Sequence, residues 1–379
     1  MTQKIEFIDL KAQRRHLGDK LDTAIMAAVN EANYIMGPQV QIFEQQLSAF
    51  SDVKHAIGCG NGTDAIGLCL MAKKVRPGDA VIVPSFTFAS TAEVVAWLGA
   101  TPIFVDIDQN SYNIDPKSLE LALAEAAKHG LRTVGVIAVD LFGQPADYDP
   151  IESFCEANNL WLIADSAQGY GSIYKGRKSG SIGTMATTSF FPAKPLGCYG
   201  DGGAIFTADD EVADVIRSLR VHGKGSDKYD NIRIGVNSRL DTLQAAILIE
   251  KLAIYEEEIA ARQIVADRYE AALSDVIVTP QVMAECRSVW AQYTIRVAAD
   301  KRYAIIDGLK EKGVPAAVYY PRPLHQQTAY SKFPVAGNGL PVSERVCTEV
   351  ISLPMHPYLE KSTQDFICEA VRDTIASVG

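Results

Sequence analysis

The sequence predicts an α/β protein whose larger part is built on a mostly parallel seven-stranded sheet. From about residue 54 to 207, short runs rich in β-branched residues alternate with longer helix-like stretches, which is typical of βαβ units. Several of these runs are apolar on both faces, as strands buried between two helical layers should be. The predicted strands are His55–Cys59, Ala80–Pro84, Pro102–Val105, Val134–Val139, Leu160–Ala164, Met185–Phe190 and Ala204–Thr207.

Helix-like segments separate these strands and continue beyond them. The predicted helices are Ala65–Lys73, Ser90–Leu98, Ser118–His129, Ile151–Asn158, Ser238–Leu273, Arg302–Lys312 and Ser362–Ala376. The long proline-free segment Ser238–Leu273 suits a connector between domains. Two later strands, Tyr293–Val297 and Ala316–Tyr320, indicate a smaller C-terminal α/β domain. We therefore predict a large domain over residues 1–250 and a small domain over residues 251–379.

The bulk properties exclude several classes of protein. A chain of 379 residues exceeds the size at which one hydrophobic core stops growing, which agrees with two domains. The net charge of −10 argues against broad nucleic-acid binding, which requires a basic surface. Neither a signal peptide nor a run of about 18 apolar residues is found, so no membrane association is expected. Seven cysteines without paired or zinc-site spacing predict reduced thiols, a cytoplasmic location and no metal site.

The segment Ser189–Lys194, followed by the glycine-rich segment Gly197–Gly203, is the sharpest local motif. A lysine in apolar, loop-like surroundings can have its pKa lowered by desolvation, which makes it a competent Schiff-base nucleophile. A solvated loop lysine is the alternative, and the motif taken alone favours that alternative.

Asp165 ends a predicted central strand and is followed by Ser166-Ala167-Gln168-Gly169. Open α/β sheets bind ligands at the carboxyl ends of their strands. A carboxylate placed there could pair with a pyridinium nitrogen and strengthen a cofactor as an electron sink. A simple helix cap is the alternative for Asp165.

The segment Gly58–Ala65 lies between a predicted strand and a predicted helix. Its glycines let backbone amides approach an anion, and the helix N-terminus adds partial positive charge. The segment lacks the GK[ST] ending of a P-loop and the spacing GxGxxG. It therefore indicates a phosphate site or an ordinary tight turn. Pyridoxal 5′-phosphate (PLP) has three groups that a protein must bind: its phosphate, its ring nitrogen and its aldehyde. A phosphate site, an acid and a lysine, in this order along the chain, would meet that requirement.

These motifs make the chain closely resemble the DegT/StrS-type sugar aminotransferases, a branch of the fold-type I PLP-dependent transferases. The resemblance covers nearly the whole chain. The matching segments are Ile5–Leu10, Gly37-Pro38, Asn61–Ala65, Pro84–Phe88, Asp165–Gln168 and Leu353–Pro357.

The resemblance implies a role for each matching cofactor residue. Lys194 would bind PLP as a Schiff base and move protons between the cofactor and the substrate carbon. Asp165 would pair with the pyridine nitrogen, and Gln168 would approach the phenolic oxygen. The other implied cofactor contacts are Phe88 stacked on the ring, with core packing as its alternative, and Gly62, Thr63 and Ser189 at the phosphate.

The resemblance also implies a homodimer with a shared active site. Asn237 matches an asparagine that reaches the phosphate bound by the neighbouring subunit, so a monomer should be inactive. A plain helix N-cap is the structural alternative for Asn237, and both roles could hold.

The substrate implied by the resemblance is a UDP-linked sugar. Gly200-Asp201-Gly202-Gly203 is similar to members that act at sugar C3, whereas members acting at C4 commonly carry Gly-Glu-Gly-Gly. The longer segments Phe190–Asp201 and Asn237–Ala246 resemble aminotransferases of UDP-2-acetamido-2-deoxy-3-oxo-glucuronate. This family context implies a role in surface-polysaccharide synthesis, such as that of lipopolysaccharide O-antigen.

Four residues are candidates for substrate contact. Arg239 could hold the uronate carboxylate through a bidentate pair, unless it forms a surface salt bridge with Asp241 or Glu250. Tyr319 and Tyr320 match a substrate-facing loop, although histidine is expected at Tyr319 in close relatives. The last candidate is His325, which could reach the nucleotide or be a surface histidine.

In the implied reaction, glutamate donates its amino group to give pyridoxamine phosphate (PMP) and leaves as 2-oxoglutarate. The C3 ketone then receives the amine, and one arginine could serve both substrate carboxylates in turn. Three alternatives remain open: an aminotransferase of a dTDP-6-deoxy-keto sugar at C3 or C4, a sugar 3-dehydratase, and a non-catalytic sugar-nucleotide-binding or regulatory protein. Dehydratases of this fold usually have histidine in place of the lysine.

Overall fold

A computed structural model of the protein describes residues 4–227 and 229–378. Helices in this part are α1 (Leu10–Glu31), α2 (Pro38–Ser51), α3 (Gly62–Ala72), α4 (Ser90–Trp97), α5 (Leu119–Lys128), α6 (Tyr148–Ala157), α7 (Asp210–Leu219), α8 (Thr242–Ala253), α9 (Tyr255–Leu273), α10 (Arg302–Glu311), α11 (Pro341–Glu349) and α12 (Lys361–Val378). Strands are β1 (His55–Cys59), β2 (Asp79–Pro84), β3 (Thr101–Val105), β4 (Arg132–Val139), β5 (Trp161–Asp165), β6 (Ile173–Tyr174), β7 (Arg177–Lys178), β8 (Met185–Ser189), β9 (Gly203–Thr207), β10 (Cys286–Arg287), β11 (Tyr293–Arg296) and β12 (Val350–Leu353).

Seven strands form the central sheet in the order β1-β9-β8-β5-β4-β2-β3. All neighbours from β3 to β8 pair in parallel, whereas β9 is antiparallel to both β1 and β8. The two antiparallel pairings leave β1 pointing the same way as β8. The mostly parallel seven-stranded sheet predicted from the sequence is therefore confirmed, and the carboxyl ends of six strands share one edge.

Both faces of this sheet are covered, as the apolar character of its strands predicts. Along β2, Ala80 and Ile82 face one hydrophobic cluster, whereas Val81 and Val83 face the other. Because side chains alternate along a strand, this division places one cluster on each side of the sheet. Most residues of these strands are therefore buried, which agrees with the apolar character of several of their sequences.

The C-terminal part has its own hydrophobic cluster around the antiparallel pair β11 and β12. Helix α9 connects the two parts: Tyr255 and Ile259 join the core of the large sheet, whereas Tyr269 and Leu273 join the C-terminal cluster. The domain boundary predicted after residue 250 lies within α8. The distribution of buried residues along α9 supports this helix as the connection.

Two predicted elements differ from the structure. The helix predicted over 238–273 is two helices, because the backbone of Ile254 leaves the helical region with φ −106° and ψ 1°. The predicted strand Ala316–Tyr320 is wrong, since only Ala317 forms a bridge, to Ser352. Its last three residues instead pack against a hydrophobic cluster that includes Phe86 and Phe142. Helices α1 and α2 had no counterpart in the sequence prediction.

No helix in the described ranges has both the length and the hydropathy that crossing a membrane requires.

Candidate active site

A cavity of about 620 Å³ lies at the edge where the parallel strands end. Its walls come from the loops that follow β1, β2, β5 and β8, together with residues from the C-terminal part. Binding at this edge is the general behaviour of open α/β sheets. Of the residues predicted from the sequence, the cavity brings together Gly62, Thr63, Phe88, Asp165, Gln168, Ser189, Lys194, Tyr319 and Tyr320.

Lys194 lies on a tight loop in the cavity wall and is half-buried. Its amide donates to the carbonyl of Phe191 at 2.8 Å, and the amide of Cys198 closes the loop on the carbonyl of Phe190 at 2.8 Å. Within the described ranges, Nζ makes no hydrogen bond or ion pair. Burial lowers the pKa of this amine, and the negative charge of Asp165 opposes that effect. The solvated-lysine alternative therefore does not describe this side chain.

Asp165 is 4% exposed and faces the same cavity. Its Oδ1 accepts hydrogen bonds from the Ala167 amide at 3.1 Å and the Thr187 hydroxyl at 3.4 Å. Oδ2 has no donor in the described part of the chain. Burial raises the pKa of Asp165, while the Ala167 amide, the charge of Lys194 and the Thr187 hydroxyl lower it. A cationic N–H group in the cavity would compensate this buried carboxylate.

The N-terminus of α3 forms an anion site in the cavity wall, next to Ser189. Asn61 caps the helix, because its side chain accepts from the Asp64 amide at 2.8 Å. The amides of Gly62 and Thr63 have no acceptor among the described residues and are free for an anion. A Cβ at Gly62 would lie 2.7 Å from the Cβ of Ser189, so glycine is required there. Asn61 was not predicted, although an Asn before a helical segment is a capping signal.

Aromatic and amide side chains form the remaining walls. The exposed ring of Phe88 lies 6.4 Å from the ring of Tyr320, centroid to centroid. Gln168 is held at both ends: its Oε1 accepts from the Phe142 amide at 2.9 Å, and its Nε2 donates to the Tyr320 hydroxyl at 3.1 Å. Phe88 is 55% exposed and lines the cavity, which excludes core packing as its role.

This set of groups fits PLP. Two unpaired helix amides match its phosphate, a buried carboxylate matches its ring nitrogen, and an amine of lowered pKa matches its aldehyde. Gln292 also lines the cavity, and its buried Oε1 has no hydrogen bond among the described residues. This oxygen could accept a hydrogen bond from a bound molecule. Gln292 had no signal in the sequence, because it reaches the cavity from the C-terminal part through tertiary packing alone.

Three predicted residues lie outside the lining of this cavity. His325 is bound by Ser85 Oγ at 2.7 Å and Glu344 Oε1 at 3.1 Å, and its side chain is only 9% exposed. It is therefore neither at the cavity nor a surface histidine. Both ring nitrogens are engaged, which leaves no group to contact a nucleotide.

Asn237 and Arg239 precede α8. Asn237 is exposed and forms a bridge with Val221, whereas Asp241 holds the N-cap position of α8, so the capping alternative for Asn237 is wrong. Arg239 is half-buried and has no hydrogen bond or ion pair in the described ranges. The salt bridges considered for it are therefore not formed.

The chain matches the model of the DegT/DnrJ/EryC1/StrS aminotransferase family over residues 16–372. It is 49% identical to the UDP-2-acetamido-2-deoxy-3-oxo-D-glucuronate aminotransferase of Pseudomonas aeruginosa, over 97% of this chain and 99% of that protein. A DegT/DnrJ/EryC1/StrS aminotransferase structure from Brucella abortus has a TM-score of 0.96 at 50% identity, covering 97% of this chain and 99% of that one. NtdA of Bacillus subtilis, solved with bound cofactor PMP, has a TM-score of 0.88 at 29% identity. The match covers 99% of this chain and 86% of the NtdA chain. The chain belongs to the DegT/DnrJ/EryC1/StrS aminotransferase family and is a PLP-dependent enzyme.

Proposed function

We propose that this enzyme transfers the amino group of glutamate to the C3 ketone of UDP-linked 2-acetamido-2-deoxy-3-oxo-glucuronate, for surface-polysaccharide synthesis. The observation that carries the chemistry is one cavity that holds a free Lys194 amine, a buried Asp165 carboxylate and an open helix N-terminus. The choice of sugar is supported by the full-length similarity to the Pseudomonas aminotransferase.

Each proposed cofactor residue has one task. When bound, PLP supplies an electron sink for the negative charge that develops at the reacting carbon. Lys194 would take the proton from the substrate carbon and deliver it to the cofactor carbon, and reverse this transfer for the keto sugar, since its lowered pKa increases the neutral fraction of Nζ. Asp165 keeps the ring nitrogen protonated. The amides of Gly62 and Thr63, with Ser189, hold the phosphate, while Phe88 covers the ring and Gln168 orients its phenolic oxygen.

The substrate is tested with purified protein, PLP, glutamate and the UDP-linked 3-keto uronate, made in situ and followed by mass spectrometry. We expect the ketone oxygen to be replaced by an amine, with 2-oxoglutarate released in equal amount. A matched reaction with a dTDP-6-deoxy-keto sugar should turn over at least about 100-fold more slowly, because that sugar lacks the carboxylate. Turnover of the dTDP sugar alone would overturn the substrate. Absence of both reactions and of cofactor binding would favour the sugar-nucleotide-binding or regulatory alternative.

The proposed function includes a homodimer in which each cavity is completed by the partner. Large apolar side chains are exposed along α1, α2 and their connection, namely Met26, Val29, Tyr34, Ile35, Met36 and Ile42. A concentration of exposed apolar side chains in neighbouring segments supports a subunit interface there. Within residues 4–227 and 229–378, Arg239 has no hydrogen-bonding or ionic partner. We propose that Asn237 contacts the phosphate in the partner's cavity and that Arg239 binds the uronate and glutamate carboxylates there in turn.

A shared site predicts complementation between two defective variants. Lys194→Ala removes the amine from one chain, and Asn237→Asp places a carboxylate against the phosphate in the other. Heterodimers purified through two different tags keep one intact cavity out of two, so we expect about half of the wild-type rate per dimer. Each variant alone should be at least ten-fold below that rate, and heterodimers no more active than the Asn237→Asp homodimer would show a cavity built from one chain.

We also propose that the protein is located in the cytoplasm. We further propose that the loop residues Tyr319 and Tyr320 contact the substrate. Nucleotide sugars and glutamate are cytoplasmic metabolites, and all seven cysteines are free, as expected where thiols stay reduced. Tyr319 and Tyr320 line the cavity, so their hydroxyls can meet sugar or diphosphate oxygens.

A further inference from the structure

Lys251 is a buried lysine that the proposed mechanism does not use. It lies on α8, is 1% exposed and has no salt bridge among the described residues. Burial lowers its pKa to about 8, an effect that Glu258 and Cys198 oppose, so the amine is mostly protonated at neutral pH. A buried ammonium without a carboxylate partner destabilises the folded state. Stability alone therefore gives no reason for a lysine at this position.

The contacts of Lys251 lead to the loop that carries Lys194. Its Nζ donates to the Gly197 carbonyl at 2.6 Å and lies 4.3 Å from the centroid of the Tyr199 ring. Seven positions earlier on the same helix, Gln244 accepts a hydrogen bond from the Tyr199 amide at 2.8 Å. Two side chains of one helix therefore hold two residues of the loop, Gly197 and Tyr199.

Contacts within the loop connect Gly197 to Lys194. A Cβ at Gly197 would lie 2.6 Å from the Pro192 carbonyl oxygen and 2.7 Å from that of Phe191, so the two halves of the loop are in contact. The same Phe191 carbonyl accepts the amide of Lys194. A shift of Gly197 must therefore move the backbone that places the Lys194 amine.

We infer that Lys251, with Gln244, is a positioning residue that holds the Lys194 loop in its reactive position. This inference rests on the role proposed for Lys194. The charge of Lys251 strengthens its hydrogen bond to the Gly197 carbonyl and its contact with the Tyr199 ring. Helix α8 is a suitable support, since it packs against both α1 and α2.

The test compares Lys251→Met with Lys178→Met. Methionine has a similar length and helix propensity, so the helix is preserved. Lys178 is a matched control because its Nζ also donates to a carbonyl, that of Phe50 at 2.7 Å, and lies 5.0 Å from an aromatic centroid, but it is not at the cavity. In Lys251→Met we expect kcat to fall about ten-fold with KM unchanged, because displaced catalytic groups lower the rate of the chemical step.

A second readout does not depend on the cofactor. In the PLP-free protein, hydrogen–deuterium exchange in peptides covering 190–202 should be about ten-fold faster in Lys251→Met, with other regions unchanged. The melting temperature should move little, because loss of the buried ammonium offsets the unpaired Gly197 carbonyl. Unchanged exchange in this loop, or an equal fall of kcat in Lys178→Met, would overturn the inference.

Gln244→Met serves as a second variant if Lys251→Met does not fold. It removes the acceptor of the Tyr199 amide and should produce a smaller loss of kcat, about three-fold, with faster exchange in the same peptides. No change in either readout would count against the positioning role. If instead Lys194→Ala proves active, the proposed role of Lys194 fails, whereas the exchange result still reports on the loop contacts.

Discussion

Lys194→Ala is expected to abolish amine transfer, with kcat/KM falling by about four orders of magnitude. The loss follows from the position of Nζ, which faces the cavity without a hydrogen bond or ion pair in the described ranges and is the amine proposed to move the proton. Asp165 loses a nearby positive charge in this variant, but no hydrogen bond among the described residues is broken, so the fold should be retained. The rate of product formation by mass spectrometry measures the effect.

The control separates loss of chemistry from loss of structure. Lys178→Ala removes a lysine outside the cavity and should keep at least half of the wild-type activity. Borohydride reduction should fix the cofactor covalently to the wild-type protein and to Lys178→Ala, but not to Lys194→Ala. Covalent fixation in Lys194→Ala would show that another lysine binds the cofactor, and the proposed site would then be wrong.

The residues of the central cavity could be predicted because they lie in local motifs at strand ends and because those motifs resemble the family's. Asp165 and Ser189 end strands of a parallel sheet, and Gly62 begins a helix directly after another strand. The carboxyl ends of such strands meet at one edge, so a correct assignment of strands also predicts which side chains come together. Lys194 follows within a short loop, which limits how far it can lie from the same edge.

Residues whose position depends on distant contacts could not be predicted in this way. Gln292 lines the cavity but follows no motif, and His325 is drawn away from it by Ser85 and Glu344. Lys251 sits in a largely apolar helical segment where a lysine suggests an exposed face, yet it is buried. These placements are set by packing between elements far apart in the chain, which a local pattern does not report.

Asp165→Asn is expected to lower kcat/KM by about 10³-fold, because an amide no longer stabilises the protonated ring nitrogen. The same change should stabilise the cofactor-free protein at neutral pH. Burial raises the pKa of Asp165 above its ordinary value, so the folded state favours the protonated form. The corresponding stability is fully present below the ordinary pKa and is lost as pH rises through the raised native pKa. Asparagine carries no such charge and avoids that loss.

Melting temperatures of the PLP-free proteins between pH 4 and 8 test whether the stability contributed by Asp165 falls as pH rises. The advantage of Asp165→Asn over wild type should be largest at pH 8 and should shrink toward pH 4, where Asp165 becomes protonated. Asp79→Asn is the matched control, since Asp79 is also buried but is paired with Arg132 at 2.7 Å and is outside the cavity. It should lower the melting temperature and leave the rate within two-fold, because it breaks a paired carboxylate. Lower stability of Asp165→Asn at pH 8, together with normal activity, would mean that Asp165 supports the fold and does not bind the cofactor.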